Sequence, residues 1–214
     1  MAIETATKLA IYNGALRWLG ERKLSSITED RHPRHVLDDI WGSGNAIVVE
    51  TLENANWNFA IRTSQIDYNP AIEPDFGFSR AFTRPTDFLR KVAISGSEYF
   101  SPPLTHAQLQ SEGEYWFSDF DSIFVRYISD DSDYGLDSAK WPVAFKKYLE
   151  VRMAWEACET LTNDDRKMAK LDRLKTDFWR RAVGNDGLED GVKFAPAGSW
   201  VTARGGRARY RGET

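Results

Sequence analysis

The sequence predicts an α+β fold: a four-helix bundle built from N- and C-terminal helices, with an inserted β-rich domain and an extended C-terminal tail. Three observations predict it. Apolar residues recur at helical spacing towards both ends of the chain. The middle alternates and is punctuated by prolines. The last stretch, "GSWVTARGGRARYRGET", spaces its arginines with glycine and small residues and has no period. The expected divisions are 1–56 for the first half of the bundle, 57–139 for the β-rich domain, 140–184 for the second half of the bundle and 185–214 for the tail.

In order, residues 3–19 read as a helix, with Leu9, Tyr12, Leu16 and Leu19 on one stripe, Ile3, Ala6 and Ala10 beside it, and Gly20 as its stop. Residues 34–54 read as a second helix on Val36, Ile40, Ile47 and Leu52, weakened and kinked by Gly42 and Gly44. From Asn56 to Tyr68 the pattern alternates, with Trp57, Phe59 and Ile61 on one face of a strand. Pro85 bars a helix, so Thr86 caps one short turn from Asp87 to Arg90, and Lys91 to Ser95 is a strand. Residues 114–128 read as a hairpin turning near Asp119 to Asp121, with Ile123, Val125 and Tyr127 facing one way.

Helix returns over 141–161, with Pro142 in its first turn. One stripe is Trp141, Phe145, Tyr148, Val151, Trp155 and Cys158; a second is Leu149, Met153, Ala157 and Leu161. Two stripes predict burial on more than one side. Asn163 or Asp164 caps a last helix whose inner face is Met168, Leu171, Leu174 and Phe178, and the pattern fails at Gly184. None of these helices buries its face alone, so the four are expected to pack together.

Of the 214 residues, 42% are hydrophobic, enough for a core, and eight are tryptophan, which suits large buried contacts or interfaces. Charge is unevenly placed. Residues 192–214 carry +4, which leaves −8 on the rest of a chain whose net charge is −4. An acidic body repels a polyanion, so a nucleic-acid reading rests on the tail alone, on its arginines and Tyr210. A single cysteine, Cys158, on an apolar stripe allows no internal disulfide and suits synthesis in a reducing cytoplasm. No apolar run approaches the roughly 18 residues of a membrane span, and the first residues lack a signal-peptide pattern, so a soluble protein with no membrane partner is expected.

Candidate chemistry is sparse. His32 and His35 beside Asp38 and Asp39 have the residue types of a metal site but also of a solvated helix start, the plainer account. "SDDSDYG" resembles a calcium loop with Asp130, Ser132 and Gly135, but Tyr134 and Trp141 fall where ligands belong. Asp119 and Asp121 have the types of a glycosidase carboxylate pair, and equally of turn formers. Cys158 lacks a base and exposure. No metal, cofactor or catalytic residue is therefore expected. The tail has the composition of a segment that orders on a folded partner, with Phe194, Trp200, Val201 and Tyr210 as anchors and Arg204, Arg207, Arg209 and Arg211 for acidic patches. Extended, it spans on the order of 70–80 Å.

Five blocks in sequence carry a resemblance: "ETATKLAIYNGALRWLGE" followed by "LSSITED", then "NANWNFAIR", "RPTDFLR", "IFVRYISD" and "WPVAFKKYLEVRMAWEACETLTND". With these the chain resembles the head-to-tail adaptor proteins of short-tailed phages, the tail tubular protein A group, over most of residues 4–180. The resemblance implies a virion structural protein of the neck, assembled in the host cytoplasm as a homo-oligomeric ring of 12 copies with the helices as its wall. It implies as partners the portal above, a tail nozzle like tail tubular protein B below, and double-stranded DNA passing through the bore without specific contacts. It also implies a C-terminal segment that grips the portal. The alternatives are a virion-associated polysaccharide or cell-wall hydrolase using Asp119 and Asp121, and a nucleic-acid-binding protein acting through its basic tail.

Overall fold

Periodicity at the N-terminus becomes helix α1 (Ala2–Leu19), in the computed structural model that describes residues 2–187 except 76, 102 and 106. Tyr12, Leu16 and Leu19 are buried as expected; Ile11 and Ala15 complete the inner face, while Ala6 and Ala10 are exposed. Gly20, at φ 78°, ends the helix, and the Glu21 N–H returns to the Leu16 carbonyl at 2.9 Å.

The second helix is two. Helix α2 (His32–Trp41) and helix α3 (Ala46–Glu53) are separated by a 3₁₀ turn at Ser43–Asn45. Gly42, Gly44 and Asn45 all take positive φ there, a conformation that cannot continue a right-handed helix. The glycines therefore break the helix rather than kink it.

Among the described residues six strands lie between Ile61 and Ser129: β1 (Ile61–Asp67), β2 (Arg80–Thr83), β3 (Phe88–Ser95), β4 (Gln110–Glu112), β5 (Tyr115–Ser118) and β6 (Ser122–Ser129). They form two antiparallel sheets, one ordered β1-β6-β3 and the other β2-β5-β4. In the first, Ile61 faces Ile128 and Asp67 faces Ser122, and β3 carries two irregularities against β6. In the second, Thr83 and Glu112 both face Tyr115 from opposite sides.

Three expectations change here. The segments either side of Asp119–Asp121 are not a hairpin: β5 and β6 belong to different sheets. Residues 58–60 form a 3₁₀ turn, so Trp57 and Phe59 join the helical core and the strand begins only at Ile61. The turn after Pro85 is brief, and β3 starts at Phe88, three residues early.

Helix α4 (Val143–Thr162) and helix α5 (Asp165–Gly187) close the described chain. Pro142 stands one residue before α4. Asp164 caps α5, its Oδ1 accepting from the backbone N–H groups of Arg166 (3.0 Å) and Lys167 (3.1 Å). Helix α5 passes through Gly184 to Gly187. The protein is α+β, with five helices and two three-stranded sheets among the described residues.

Helix α4 lies at the centre of the helical part, packed on α1, α2 and α5, and both its stripes are buried except for the half-buried Trp155 and Leu161. The sheet β1-β6-β3 sits between that core and the second sheet. On β6, Ile123, Val125 and Tyr127 face the β core shared with Phe82 and Trp116, while the adjacent Ile128 faces the helices. The three layers are thus helices, sheet, sheet.

Candidate partner-docking site

The expected anchors, Phe194, Trp200, Val201, Arg204, Arg207, Arg209, Tyr210 and Arg211, lie outside the described residues. What the structure does define is the root from which they depart. Near the end of α5, Asp186 is buried. Its Oδ2 accepts from the Asn58 backbone N–H at 2.9 Å, and its carbonyl accepts from Asn58 Nδ2 at 2.6 Å. Two turns earlier Trp179 stands edge-on to Trp57 (5.6 Å between centroids) and packs on Tyr148 (5.0 Å). Phe178 meets Trp18 of α1 edge-on at 6.1 Å. The exit of the helical part is therefore fastened to the entry of the β part.

Trp57 is the pivot of this junction. It is 1% exposed, packs edge-on against Phe145 at 4.9 Å, and its Nε1–H donates to the Thr51 carbonyl at 2.9 Å. Gly135 makes a second crossing. A β-carbon there would sit 2.2 Å from the Ser129 carbonyl oxygen on β6 and 2.7 Å from Leu52 of α3, so only glycine fits. Trp141 Nε1–H donates to the Gly135 carbonyl at 2.8 Å.

Charged groups couple the helices. Glu150, buried on α4, accepts from Arg17 of α1 at 3.2 Å and from Lys147 at 2.9 Å. Arg152 donates to Thr51 Oγ1 at 3.0 Å and to Glu156 at 3.0 Å, and it also pairs with Glu50. In the β part Asp87 plays the equivalent role. It accepts from Ser129 Oγ (2.5 Å), Arg62 (2.9 Å) and the Tyr127 hydroxyl (3.1 Å). Burial pushes its carboxyl up, but the hydrogen bonds from Ser129 and Arg62 outweigh this and hold it below the usual carboxylate range. Burial drives the Tyr127 hydroxyl in the other direction, further from ionisation. None of Glu150, Arg152, Asp87 and Asn58 was singled out from the sequence as a coupling residue. The available signal was the intrusion of Glu150 and Arg152 between the apolar stripes of α4.

Several of the groups considered for chemistry make structural contacts. Asp119 accepts from the Ser79 backbone N–H and hydroxyl, both at 2.9 Å, and the backbone contact holds its carboxyl below the usual range. Asp121 pairs with Arg80. Both carboxylates thus fasten the start of β2. His35 pairs with Asp30 at 2.8 Å, and Asp38 accepts from Tyr12, Lys8 and Arg34. Tyr134, in the loop resembling a calcium site, lies beneath the cations of Arg62 and Lys140. Cys158 is buried, with Sγ 3.3 Å from the Thr162 hydroxyl. Among the described residues no three His, Cys, Asp or Glu side chains converge to hold a metal, and no helix is long and apolar enough to cross a membrane.

No family model matches the chain. No curated protein matches it either.

Proposed function

We propose that the protein is a head-to-tail adaptor of a short-tailed phage: a virion structural protein that assembles as a ring and joins the portal to the tail nozzle around the DNA channel. In this reading α1, α4, α5 and the broken pair α2–α3 are the four members of a bundle that forms the ring wall. Residues 192–214 anchor on the portal.

The observation that carries the proposal is that the resembling blocks fall on the elements that organise the fold. "ETATKLAIYNGALRWLGE" is α1 with its Gly20 corner. "RPTDFLR" supplies Asp87, around which the β part is tied. "WPVAFKKYLEVRMAWEACETLTND" is central helix α4 with the corner that caps α5. The basic segment then follows a helix end secured by Asn58, a suitable footing for an anchor under load. Its charge of +4 suits an acidic patch on a protein partner. The engagement of Asp119 and Asp121 in fastening β2 gives the hydrolase reading no support.

Electron microscopy of the protein mixed with its cognate portal is the test. A ring of copies on one face of the portal is expected, together with loss of attachment when residues 192–214 are deleted and the fold is retained. Undiminished attachment of the truncated protein overturns the anchoring role, and absence of any ring on the portal overturns the adaptor reading.

A further inference from the structure

Six arginines of the described residues are buried or half-buried: Arg31, Arg34, Arg62, Arg80, Arg84 and Arg152. Five of them meet a carboxylate, from Glu29, Asp38, Asp87, Asp121 and Glu50 respectively. Arg84 meets none among the described residues. Its guanidinium lies over the rings of Phe88 and Trp116, 5.4 Å from each centroid. It donates to the Ser111 hydroxyl, and its Nε–H is buried with no hydrogen-bond partner. A partly desolvated cation without a counter-charge is costly, and aromatic faces only partly compensate it.

Beside Arg84 a groove of about 430 Å³ opens, lined by Thr83, Pro85, Thr86, Phe88, Gly113 and Glu114. Ser111, which holds the guanidinium, belongs to β4. That strand is an edge of its sheet and all three of its residues are exposed. A segment running along a free edge places alternate side chains on one face, so such a segment can bring a side chain over Arg84.

We propose that this groove is a docking site for an extended segment of a partner protein, which places an Asp or Glu carboxylate against Arg84. The chemistry favours a single negative charge. The groove holds one cation and two threonines, and Glu114 on its wall opposes a doubly charged phosphate more than a carboxylate. The net acidity of residues 1–191 disfavours nucleic acid as the occupant.

The test uses the full chain and three N-acetylated peptides: acetyl-Val-Glu-Val-Glu-Val-amide, its Gln counterpart, and a Gln peptide ending in a free carboxylate. Binding is followed by amide chemical shifts and titration calorimetry. The Glu peptide should bind at least about tenfold more tightly than either Gln peptide, with shifts at β4 and Arg84, and Arg84→Gln should remove that preference. Thr86→Glu, which leaves Arg84 in place and puts a carboxylate in the groove, should weaken the Glu peptide similarly and keeps the test decisive if Arg84→Gln does not fold. Equal binding of the Glu and amidated Gln peptides overturns the proposal, as does a preference that survives Thr86→Glu. Tighter binding of the free-terminus peptide replaces the side chain with a chain end as occupant. Displacement of the Glu peptide by equimolar inorganic phosphate overturns the carboxylate assignment.

Discussion

Around α4 the buried residues are almost all apolar, and the charges among them, Glu150 and Arg152, reach across to α1 and α3. The β part is built otherwise. Among the described residues seven buried side chains make up its core, and beside Tyr127 one carboxylate, Asp87, ties β1, the start of β3 and the end of β6 together. The contrast teaches that area and hydrogen bonding divide the work by size. A large helical interface is stabilised by burial and uses charge for register. A small sandwich has little apolar area per strand and depends on a satisfied polar knot.

That contrast can be broken or sharpened by substitution. The largest effect belongs to Trp57→Ala, which empties the ring cluster at the junction. A loss of about 3–5 kcal/mol in urea unfolding is expected, with protection from hydrogen exchange falling in α4 and α5 first. Asp87→Asn should cost about 2 kcal/mol, since Arg62 and Ser129 lose an ionised acceptor while Arg62 keeps some solvent. Its exchange signature should be confined to β1, β3 and β6. No change in stability for Asp87→Asn would mean that the β core stands on packing alone, as the helical one does.

Acid titration sharpens the same point. The Asp87 carboxyl lies below its unfolded value of about 3.9, so its contribution is complete above that pH and is lost as the pH falls through the folded value. Asp130 has the opposite sign. Burial raises its pKa, so its charge subtracts stability near neutrality, and protonation on the way down restores it. Melting temperature against pH should therefore rise slightly before it falls. Asp130→Asn should remove the early rise, and Asp87→Asn should make the late fall shallower, since Asp38 and Asp119 are also held low. Smallest of all is Arg80→Ala, which breaks a pair whose Asp121 side is 84% exposed; less than about 1 kcal/mol is expected from thermal unfolding.

The helices were legible in the sequence because each presents a long face to one core. The periods of α1, α4 and α5, the Gly20 stop and the Asp164 cap all follow from local pattern. The glycine break between α2 and α3 was half legible: Gly42 and Gly44 announced a weakness, but the left-handed turn that divides the element involves Asn45 as well. The β part was less legible for a physical reason. A turn at Asp119–Asp121 looks the same whether the next strand folds back or crosses to another sheet, and the contacts that accompany the crossing come from Ser79 and Arg80, some forty residues away in sequence. Trp57 and Phe59 alternate as a strand does because a 3₁₀ turn at a boundary also sends both rings inward. Arg84 carried no local signal, since a basic residue before proline reads as a turn, and its missing counter-charge is visible only once its neighbours are in place.

The staple between Asn58 and Asp186 has a mechanical consequence. Tension applied beyond Gly187 does not begin by fraying α5 one turn at a time; it arrives at once at the doorstep of β1, through two short bonds to a single asparagine. The sandwich and the C-terminal helix therefore share such a load as one lever.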